Sequence, residues 1–270
     1  MTGSADSTRG SAGRLRAVGG AIRRRWRVIA LLVLVVLIVG AVAGVVYLEM
    51  PYRGDADRLD EVEASDDVVL EHGDGEYVLR GGDVTDETVG VVFYPGARVH
   101  PEAYLWTLAP IVAEEDVVVV VPEMPLNLAI LDSSAADDVM ASHGEIDRWV
   151  VGGHSLGGAM ACRYAADTDA DLEGVLLFAA YCDDGDDLRG SNLPVLSVQG
   201  TADGVIDQGT ERANRDLLGS DSRVVELEGM NHAQFGAYGD QRGDDPAEIS
   251  DEAARDRLTA AVLEWLVGLG

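Results

Sequence analysis

The sequence predicts an α/β domain, built on a mostly parallel sheet flanked by helices and preceded by one N-terminal transmembrane helix. Apolar runs alternate with helical stretches from residue 89 onward, an order typical of a sheet covered by helices. Two of these runs, at 89–96 and 117–123, are almost continuously apolar, as strands buried on both faces are. Residues 28–48 give the third signal, because they hold no charged side chain.

The first 48 residues fit a membrane anchor. Residues 1–27 hold seven arginines against one aspartate. Residues 28–48, as a helix rising ~1.5 Å per residue, span ~31 Å, close to the ~30 Å hydrocarbon core of a bilayer. We predict a basic cytoplasmic segment (1–27) and a single-pass helix in the lipid bilayer of the cell membrane (28–48). The rest of the chain is then extracellular, because arginine-rich flanks stay in the cytoplasm.

Two processing routes are alternatives to this anchor. The apolar segment contains an Ala-x-Ala-like pattern, so cleavage near Ala43 would release a secreted domain. Arg23, Arg24 and Arg25 fit a twin-arginine export signal. We prefer the tethered form, because the hydrophobic region of a removable signal is usually shorter than this one.

The composition is strongly acidic. The formal net charge is −28, and all 20 basic residues are arginine. This pattern resembles that of proteins from extreme halophiles, and such a surface disfavours binding to nucleic acid. The two cysteines, Cys162 and Cys182, fit either a disulfide in an oxidising exterior or two buried free thiols.

The remaining chain divides into a short linker and one domain. Residues 49–64 are polar and charge-rich, which predicts a solvated linker, and we place the domain at 65–270. The pattern predicts two strands around a Gly-Asp-Gly turn in 68–81, further strands at 89–96, 117–123, 148–155, 173–181, 194–200 and 223–229, and helices at 101–115, 156–167, 208–218 and 250–268, the last capped by Ser250.

The stretch Gly153-His154-Ser155-Leu156-Gly157 ends an apolar strand and opens a helix. In that setting a sharp turn lifts a serine hydroxyl above the sheet. The hydroxyl becomes a nucleophile only when a base, usually a histidine held by a carboxylate, removes its proton. Asp203 and His232 follow later strands in the order serine, acid, histidine. All three therefore project from the edge where parallel strands end.

The segments GHSLGG, GTAD and NHAQF resemble the nucleophile, acid and histidine motifs of the α/β-hydrolase superfamily. The resemblance covers about residues 65–270 and is to a small serine-hydrolase branch of family-5 type without a helical cap. It implies Ser155 as nucleophile, His232 as general base and then acid, and Asp203 as the group that orients His232.

The same resemblance implies an oxyanion hole made of backbone N–H groups. One donor is Leu156, directly after the nucleophile. The other lies in the loop FYPGARVHPE, where many relatives carry His-Gly and this chain has Pro95-Gly96. We choose Ala97 as the second donor, although the departure leaves its identity open.

Several residues compete for these roles. Asp207 lies close to Asp203, which we prefer because it is nearer the strand end. His154 adjoins Ser155 but is predicted to be structural. The other histidines, His72, His100 and His143, precede the required order and are predicted at the surface. The cluster Asp240, Asp244 and Asp245 lacks ligand spacing and is predicted to be solvated acidity, not a cation site.

Together these features predict a membrane-anchored, esterase-like serine hydrolase for small ester-like substrates, without metal or cofactor. Only 15 residues, 179–193, separate two strands where many relatives insert a helical cap, so we expect an open cleft. Residues 122–132 should line this cleft, and 129–146 are the candidate for covering it. The alternatives are a non-catalytic anchored module with the same fold and an acyltransferase.

Overall fold

The computed structural model describes residues 9–269, including the side chains of Trp26 and of residues 29–269. Residues 1–8 of the predicted basic segment, and Gly270 at the end of the predicted domain, lie outside the described residues. The chain divides into two compact units, Met1–Leu48 and Glu49–Gly270.

The described part of the first unit is a single helix, α1 (Arg9–Leu48), which begins well before the predicted residues 28–48. The sequence from 9 to 48 holds no proline, so nothing in it forces the helix to begin later. Its stretch Ile29–Leu48 has a mean hydropathy of 3.2, and none of it is buried. By length and composition this helix fits a membrane anchor or a signal sequence.

The second unit contains eight strands and six helices among the described residues. The strands are β1 (Val69–Gly73), β2 (Glu76–Arg80), β3 (Val89–Tyr94), β4 (Val117–Pro122), β5 (Arg148–His154), β6 (Leu172–Phe178), β7 (Val195–Gly200) and β8 (Ser222–Leu227). The helices are α2 (Ala56–Glu63), α3 (Leu105–Glu114), α4 (Ala135–Ser142), α5 (Leu156–Asp167), α6 (Gln208–Asn214) and α7 (Asp251–Leu266).

The strands form one sheet in the order β1-β2-β4-β3-β5-β6-β7-β8. The β1–β2 and β2–β4 pairs are antiparallel, and all the other pairs are parallel. Every residue of β3, β4 and β7 is buried, because one apolar cluster lies on each face of the sheet. The predicted mostly parallel α/β architecture is confirmed.

The predicted elements agree with the structure except at some ends. The predicted strand 173–181 ends at Phe178, because Ala179 has a φ of 45° and turns the chain out of the sheet. The predicted helix 101–115 begins as a 3₁₀ turn, Pro101–Tyr104, before α3 starts. Ser250 caps α7 as predicted, since its side chain accepts the N–H of Ala253.

The solvated linker predicted at 49–64 is wrong for half of its length, because α2 folds onto the domain there. Val62 on α2 is only 3% exposed. The guanidinium of Arg58 lies 4.1 Å from the centre of the Trp106 ring on α3, a cation–π contact. Because most residues of this short helix are charged, its sequence does not reveal the narrow face that packs against α3.

The two cysteines form a disulfide, which decides between the alternatives that the sequence left open. Cys162 on α5 is bonded to Cys182, in the loop after β6, with the Cα atoms 5.5 Å apart. Both residues are fully buried. The bond therefore ties the helix that follows Ser155 to a neighbouring loop.

Loss of this disulfide is expected to destabilise the domain by about 3 kcal/mol, the loop-closure entropy for a separation of some 20 residues. Urea unfolding with and without reductant measures the difference. A Cys162→Ser/Cys182→Ser variant is the control and should unfold like the reduced protein. An unfolding midpoint that reductant leaves unchanged would contradict the prediction.

Candidate active site

Ser155 occupies the sharp turn between β5 and α5. Its φ of 54° and ψ of −123° lie in a backbone region that residues other than glycine rarely adopt. The N–H of Ser155 donates to the carbonyl oxygen of Phe178 at 2.9 Å. Such strained residues persist only where the surrounding structure holds them, and they cluster at functional sites. The turn therefore places Ser155 at the junction of strand and helix, directly before α5.

The glycines around Ser155 allow this junction. A Cβ on Gly153 would lie 2.6 Å from the carbonyl oxygen of Tyr94, and a Cβ on Gly157 would overlap the same oxygen. Both obstacles are backbone atoms of β3, which cannot swing aside as a side chain can. Helix α5 can begin this close to the sheet only because these two positions lack a side chain.

His232 and Asp203 form a buried hydrogen-bonded pair. Asp203 lies in the loop after β7 and His232 in the loop after β8. The Nδ1 atom of His232 is 2.7 Å from Oδ2 of Asp203, with side chains 1% and 0% exposed. A carboxylate at this atom favours the tautomer with the proton on Nδ1, which leaves Nε2 free to accept one.

The second oxygen of Asp203 is also occupied. Oδ1 accepts the backbone N–H groups of Val205 at 2.8 Å and Ile206 at 3.1 Å. The competing carboxylate, Asp207, instead caps α6 by accepting the N–H of Thr210 at 2.7 Å. This hydrogen bond from the N–H of Thr210 lowers the pKa of Asp207. The structure therefore brings Asp203 and not Asp207 to His232.

The ring of His232 lies beside the serine turn. Its centroid is 4.4 Å from that of the His154 ring, the residue next to Ser155. The loops that follow β5, β7 and β8 thus meet at one edge of the sheet, where parallel strands end.

The loop after β3 contains the predicted oxyanion donor Ala97. Three of its N–H groups are occupied: that of Gly96 by the hydroxyl of Tyr104, that of Arg98 by the carbonyl oxygen of Asn127, and that of Val99 by the carbonyl oxygen of Gly96. Among the described residues no acceptor faces the N–H of Ala97.

Leu156, the other predicted donor, is the first residue of α5. The first N–H groups of a helix have no acceptor within it, and they carry the positive end of the helix dipole. The N–H of Leu156 is therefore available to an anion beside Ser155.

Comparison with known proteins agrees with this geometry. A sequence profile described as Alpha/beta hydrolase family matches residues 90–256. The chain belongs to this family. A search of curated proteins found no match.

Solved structures of α/β hydrolases show the same fold. A predicted CIB-like hydrolase from Thermoplasma acidophilum is 16% identical, with a TM-score of 0.56 over 73% of this chain and 99% of that one. A thermostable carboxylesterase from a metagenomic library is 17% identical, with a TM-score of 0.56 over 79% and 94%. A bacterial membrane phospholipase A is 15% identical, with a TM-score of 0.53 over 88% and 98%.

This α/β hydrolase has a short connection at the position of the family's cap. Residues 179–194, all of them described, contain no helix between β6 and β7. The segment 129–146 does not cover the site as a separate lid, because Ala135, Ala136 and Val139 of α4 are buried in the core. Residues 122–132 form two 3₁₀ turns, in which Ile130 and Leu131 are about half exposed.

The predicted oxyanion loop is supported by a segment that the sequence gives no reason to suspect. The N–H of Tyr52 donates to the carbonyl oxygen of Arg98 at 2.7 Å, and the N–H of His100 donates to that of Tyr52 at 2.8 Å. This bridge pairs Tyr52 with Val99 on the rim beside Ala97. The bridge joins backbone groups about 46 residues apart, so no local sequence motif predicts it.

Two of the three histidines predicted at the surface are only partly exposed. The Nε2 atom of His143 lies 2.7 Å from Oε1 of Glu76, with both side chains 16% exposed, and His100 accepts the N–H of Glu102 in the first turn before α3. Only His72 is half exposed, as predicted. These residues lie on carboxylate-rich surfaces, where an acidic partner holds the ring.

His154 is structural, as predicted, and its role can now be named. The hydroxyl oxygen of Tyr104 accepts the N–H of Gly96 and lies 3.0 Å from Nδ1 of His154. This buried chain links the residue before Ser155 to the loop that holds Ala97.

Burial and the neighbouring His232 ring hold the pKa of His154 well below its ordinary value of 6.5. The unfolded chain takes up a proton near that value, and the folded chain does not. The contribution of His154 to the free energy of unfolding is therefore fully present above pH about 6.5. It falls as the pH drops below that value, by at most about 1.4 kcal/mol per pH unit.

Urea unfolding between pH 8 and pH 5 tests this dependence. A His154→Gln variant keeps a hydrogen-bonding group for Tyr104 but cannot titrate, so its stability should fall less steeply below pH about 6.5. Equal slopes for the two proteins would show that His154 is not the group responsible.

The acidic cluster Asp240, Asp244 and Asp245 does not form a metal site among the described residues. Asp240 and Asp245 are exposed, as predicted for solvated acidity, but Asp244 is half-buried. Its carboxylate accepts the backbone N–H groups of Gly204 and Ala233. The prediction is therefore wrong for Asp244, whose contacts come from loops distant in sequence.

Proposed function

We propose that this α/β hydrolase is a serine hydrolase that cleaves small carboxylic esters through an acyl intermediate on Ser155. The observation that carries the proposal is the buried 2.7 Å bond between His232 and Asp203, beside the strained turn at Ser155. A nucleophile, a base and an orienting acid in this order are the parts that acyl transfer to water requires.

In the first half-reaction, Nε2 of His232 takes the hydroxyl proton while Oγ of Ser155 attacks the carbonyl carbon of the ester. The carbonyl electron pair moves to oxygen, and the N–H groups of Leu156 and Ala97 stabilise the resulting oxyanion. Removing one such donor typically costs about 3–4 kcal/mol of transition-state stabilisation. The tetrahedral intermediate then breaks its bond to the alcohol, which leaves with the proton from His232.

In the second half-reaction, His232 removes a proton from water, and the water oxygen attacks the acyl carbon. Breakdown of this second intermediate releases the carboxylic acid and returns the proton to Ser155. Asp203 stabilises the positive charge on His232 in both halves and stays ionised. No step requires a metal or cofactor.

The substrates are proposed to be small or exposed esters. The connection 179–194 carries no helix, so we expect the edge of the sheet above Ser155 to be open. An esterase and a phospholipase are among the proteins of similar fold, which supports ester chemistry for this site. An open cleft binds little of the substrate beyond the acyl group, so we expect weak selectivity among alcohols.

The test is a panel of p-nitrophenyl esters of graded acyl length, assayed with the full chain in detergent at low and at molar salt. We expect turnover, with an initial burst of p-nitrophenol as Ser155 is acylated. A fluorophosphonate probe should label the protein with one adduct, and peptide mapping should place it on Ser155. Absence of both turnover and labelling would favour the non-catalytic module.

Molar salt belongs in the assay because a formal charge of −28 without any lysine fits a protein adapted to concentrated salt. Added alcohols distinguish hydrolysis from acyl transfer. If an ester of the added alcohol becomes the main product at a low alcohol concentration, the protein is an acyltransferase.

We also propose that residues 28–48 tether the hydrolase domain to the outer face of the cell membrane. The uncharged helix with its arginine-rich flank and the disulfide in the domain support this location, because disulfides persist in oxidising compartments. Intact cells treated with protease should lose the domain and keep an N-terminal fragment. A mature chain that begins near Ala43 would instead indicate a cleaved signal.

A further inference from the structure

Asp244 makes three hydrogen bonds with one carboxylate. Its Oδ1 accepts the N–H of Gly204 at 3.0 Å and the N–H of its neighbour Asp245 at 2.9 Å. Its Oδ2 accepts the N–H of Ala233 at 2.9 Å. Gly243, with a φ of 95°, turns the chain just before Asp244, a conformation that glycine adopts without strain.

Two of these donors belong to the proposed catalytic loops. Gly204 directly follows Asp203, and Ala233 directly follows His232. The two oxygens of Asp244 therefore hold the acid loop and the base loop at the same time. Backbone hydrogen bonds to a charged carboxylate are stronger than those between neutral groups.

The contact between these segments is direct. A Cβ on Gly204 would lie 2.6 Å from the backbone nitrogen of Asp245, so the backbones of the two segments touch and leave no room for a side chain at position 204. On the other side, the amide of Asn231 donates to the carbonyl oxygen of Asp245 at 2.9 Å. The turn that carries Asp244 is thus packed against both loops.

We propose that Asp244 is a positioning residue for the proposed reaction. It fixes the separation of the loops that carry Asp203 and His232, and so holds their side chains at bonding distance. The proposal rests on the proposed function, and it gives Asp244 no contact with the substrate. A displacement of about 1 Å at reacting groups can lower a rate on the order of 10²-fold.

The experiment compares Asp244→Ala and Asp244→Asn in the full chain. Burst titration with a p-nitrophenyl ester counts the active sites, so that kcat is expressed per working site. We expect Asp244→Ala to lower kcat on the order of 10²-fold with little change in KM. Asp244→Asn keeps one acceptor oxygen and should lie between this variant and the wild type.

The control is Asp240→Ala, which removes the same charge from the same loop, directly before the turn that carries Asp244. Asp240 is exposed and forms no hydrogen bond within the described part of the chain, so kcat should stay at the wild-type value. An Asp244→Ala protein with wild-type kcat per titrated site would overturn the proposal, even if it melts at a lower temperature, because Asp244 would then serve stability alone.

A readout without turnover separates this proposal from the proposed function. In the wild type, the proton between His232 and Asp203 should give a downfield imidazole resonance in proton NMR with ¹⁵N-labelled histidine. Asp244→Ala should broaden or shift this resonance. If the wild type neither hydrolyses esters nor takes the probe, the proposed function fails, and an unchanged resonance in the variant overturns the role of Asp244 independently.

Discussion

Replacing Ser155 with alanine is expected to lower kcat for p-nitrophenyl esters on the order of 10⁶-fold and to abolish fluorophosphonate labelling. Alanine keeps the Cβ and loses only the oxygen that would form the acyl bond. The turn at residue 155 is equally strained with either side chain, because its φ of 54° disfavours any Cβ. Activity and labelling are measured on protein whose unfolding midpoint matches that of the wild type.

Ser142→Ala is the matched control. Its hydroxyl donates to the carbonyl oxygen of Val139 within α4 and not to the loops that carry Asp203 and His232, so we expect its kcat to be that of the wild type. Turnover that survives Ser155→Ala and disappears with another serine would place the nucleophile elsewhere and refute the proposed mechanism.

A Ser155→Gly variant measures the strain at the turn. A residue held in such a conformation costs about 1–3 kcal/mol, and glycine removes that cost. The loss of chain entropy on folding offsets part of the gain. The glycine protein should therefore be at least as stable as the alanine protein and equally inactive.

The sheet and the ends of its strands follow from the sequence for a simple reason. A parallel strand buried on both faces is apolar at successive positions, as Val117–Pro122 is, and the strands must be joined by crossover helices. The residues that follow the strand ends then share one edge. That Ser155, Asp203 and His232 lie at this edge could be predicted because it depends only on that topology, whereas their roles are implied by the resemblance of their motifs.

The contacts that support the site leave no such pattern. Tyr104 lies in a run of apolar residues that predicts only a buried helix, and its hydroxyl reaches His154, 50 positions later. Asp244 is one acid among 48, and its partners are backbone N–H groups, which every residue except proline offers. The function of both side chains is decided by tertiary contacts alone.

Helix α2 was missed for another reason. It has eight residues, too few for a stable helix in isolation, and most of them are charged. Its stability comes from tertiary contacts, such as the bond from Nε1 of Trp106 to Oε2 of Glu61 at 2.8 Å. A polar segment of this length looks the same in a linker and in a packed helix until its partner is known.

Asn at position 203 is expected to inactivate the enzyme while leaving its geometry intact. In Asp203→Asn the carbonyl oxygen should stay with the N–H groups of Val205 and Ile206, which Oδ1 accepts now. The new amide NH₂ must then face Nδ1 of His232, and Nδ1 becomes the acceptor. The imidazole proton moves to Nε2, so the ring cannot take the proton of Ser155.

The expected loss is on the order of 10⁴-fold in kcat, the size seen when a histidine base is held in the wrong tautomer. Asp207→Asn is the control, because asparagine caps a helix about as well as aspartate and Asp207 contacts only the start of α6. Its kcat should match that of the wild type. The opposite result, an inactive Asp207→Asn beside an active Asp203→Asn, would mean that the loop rearranges in solution and presents the other carboxylate to His232.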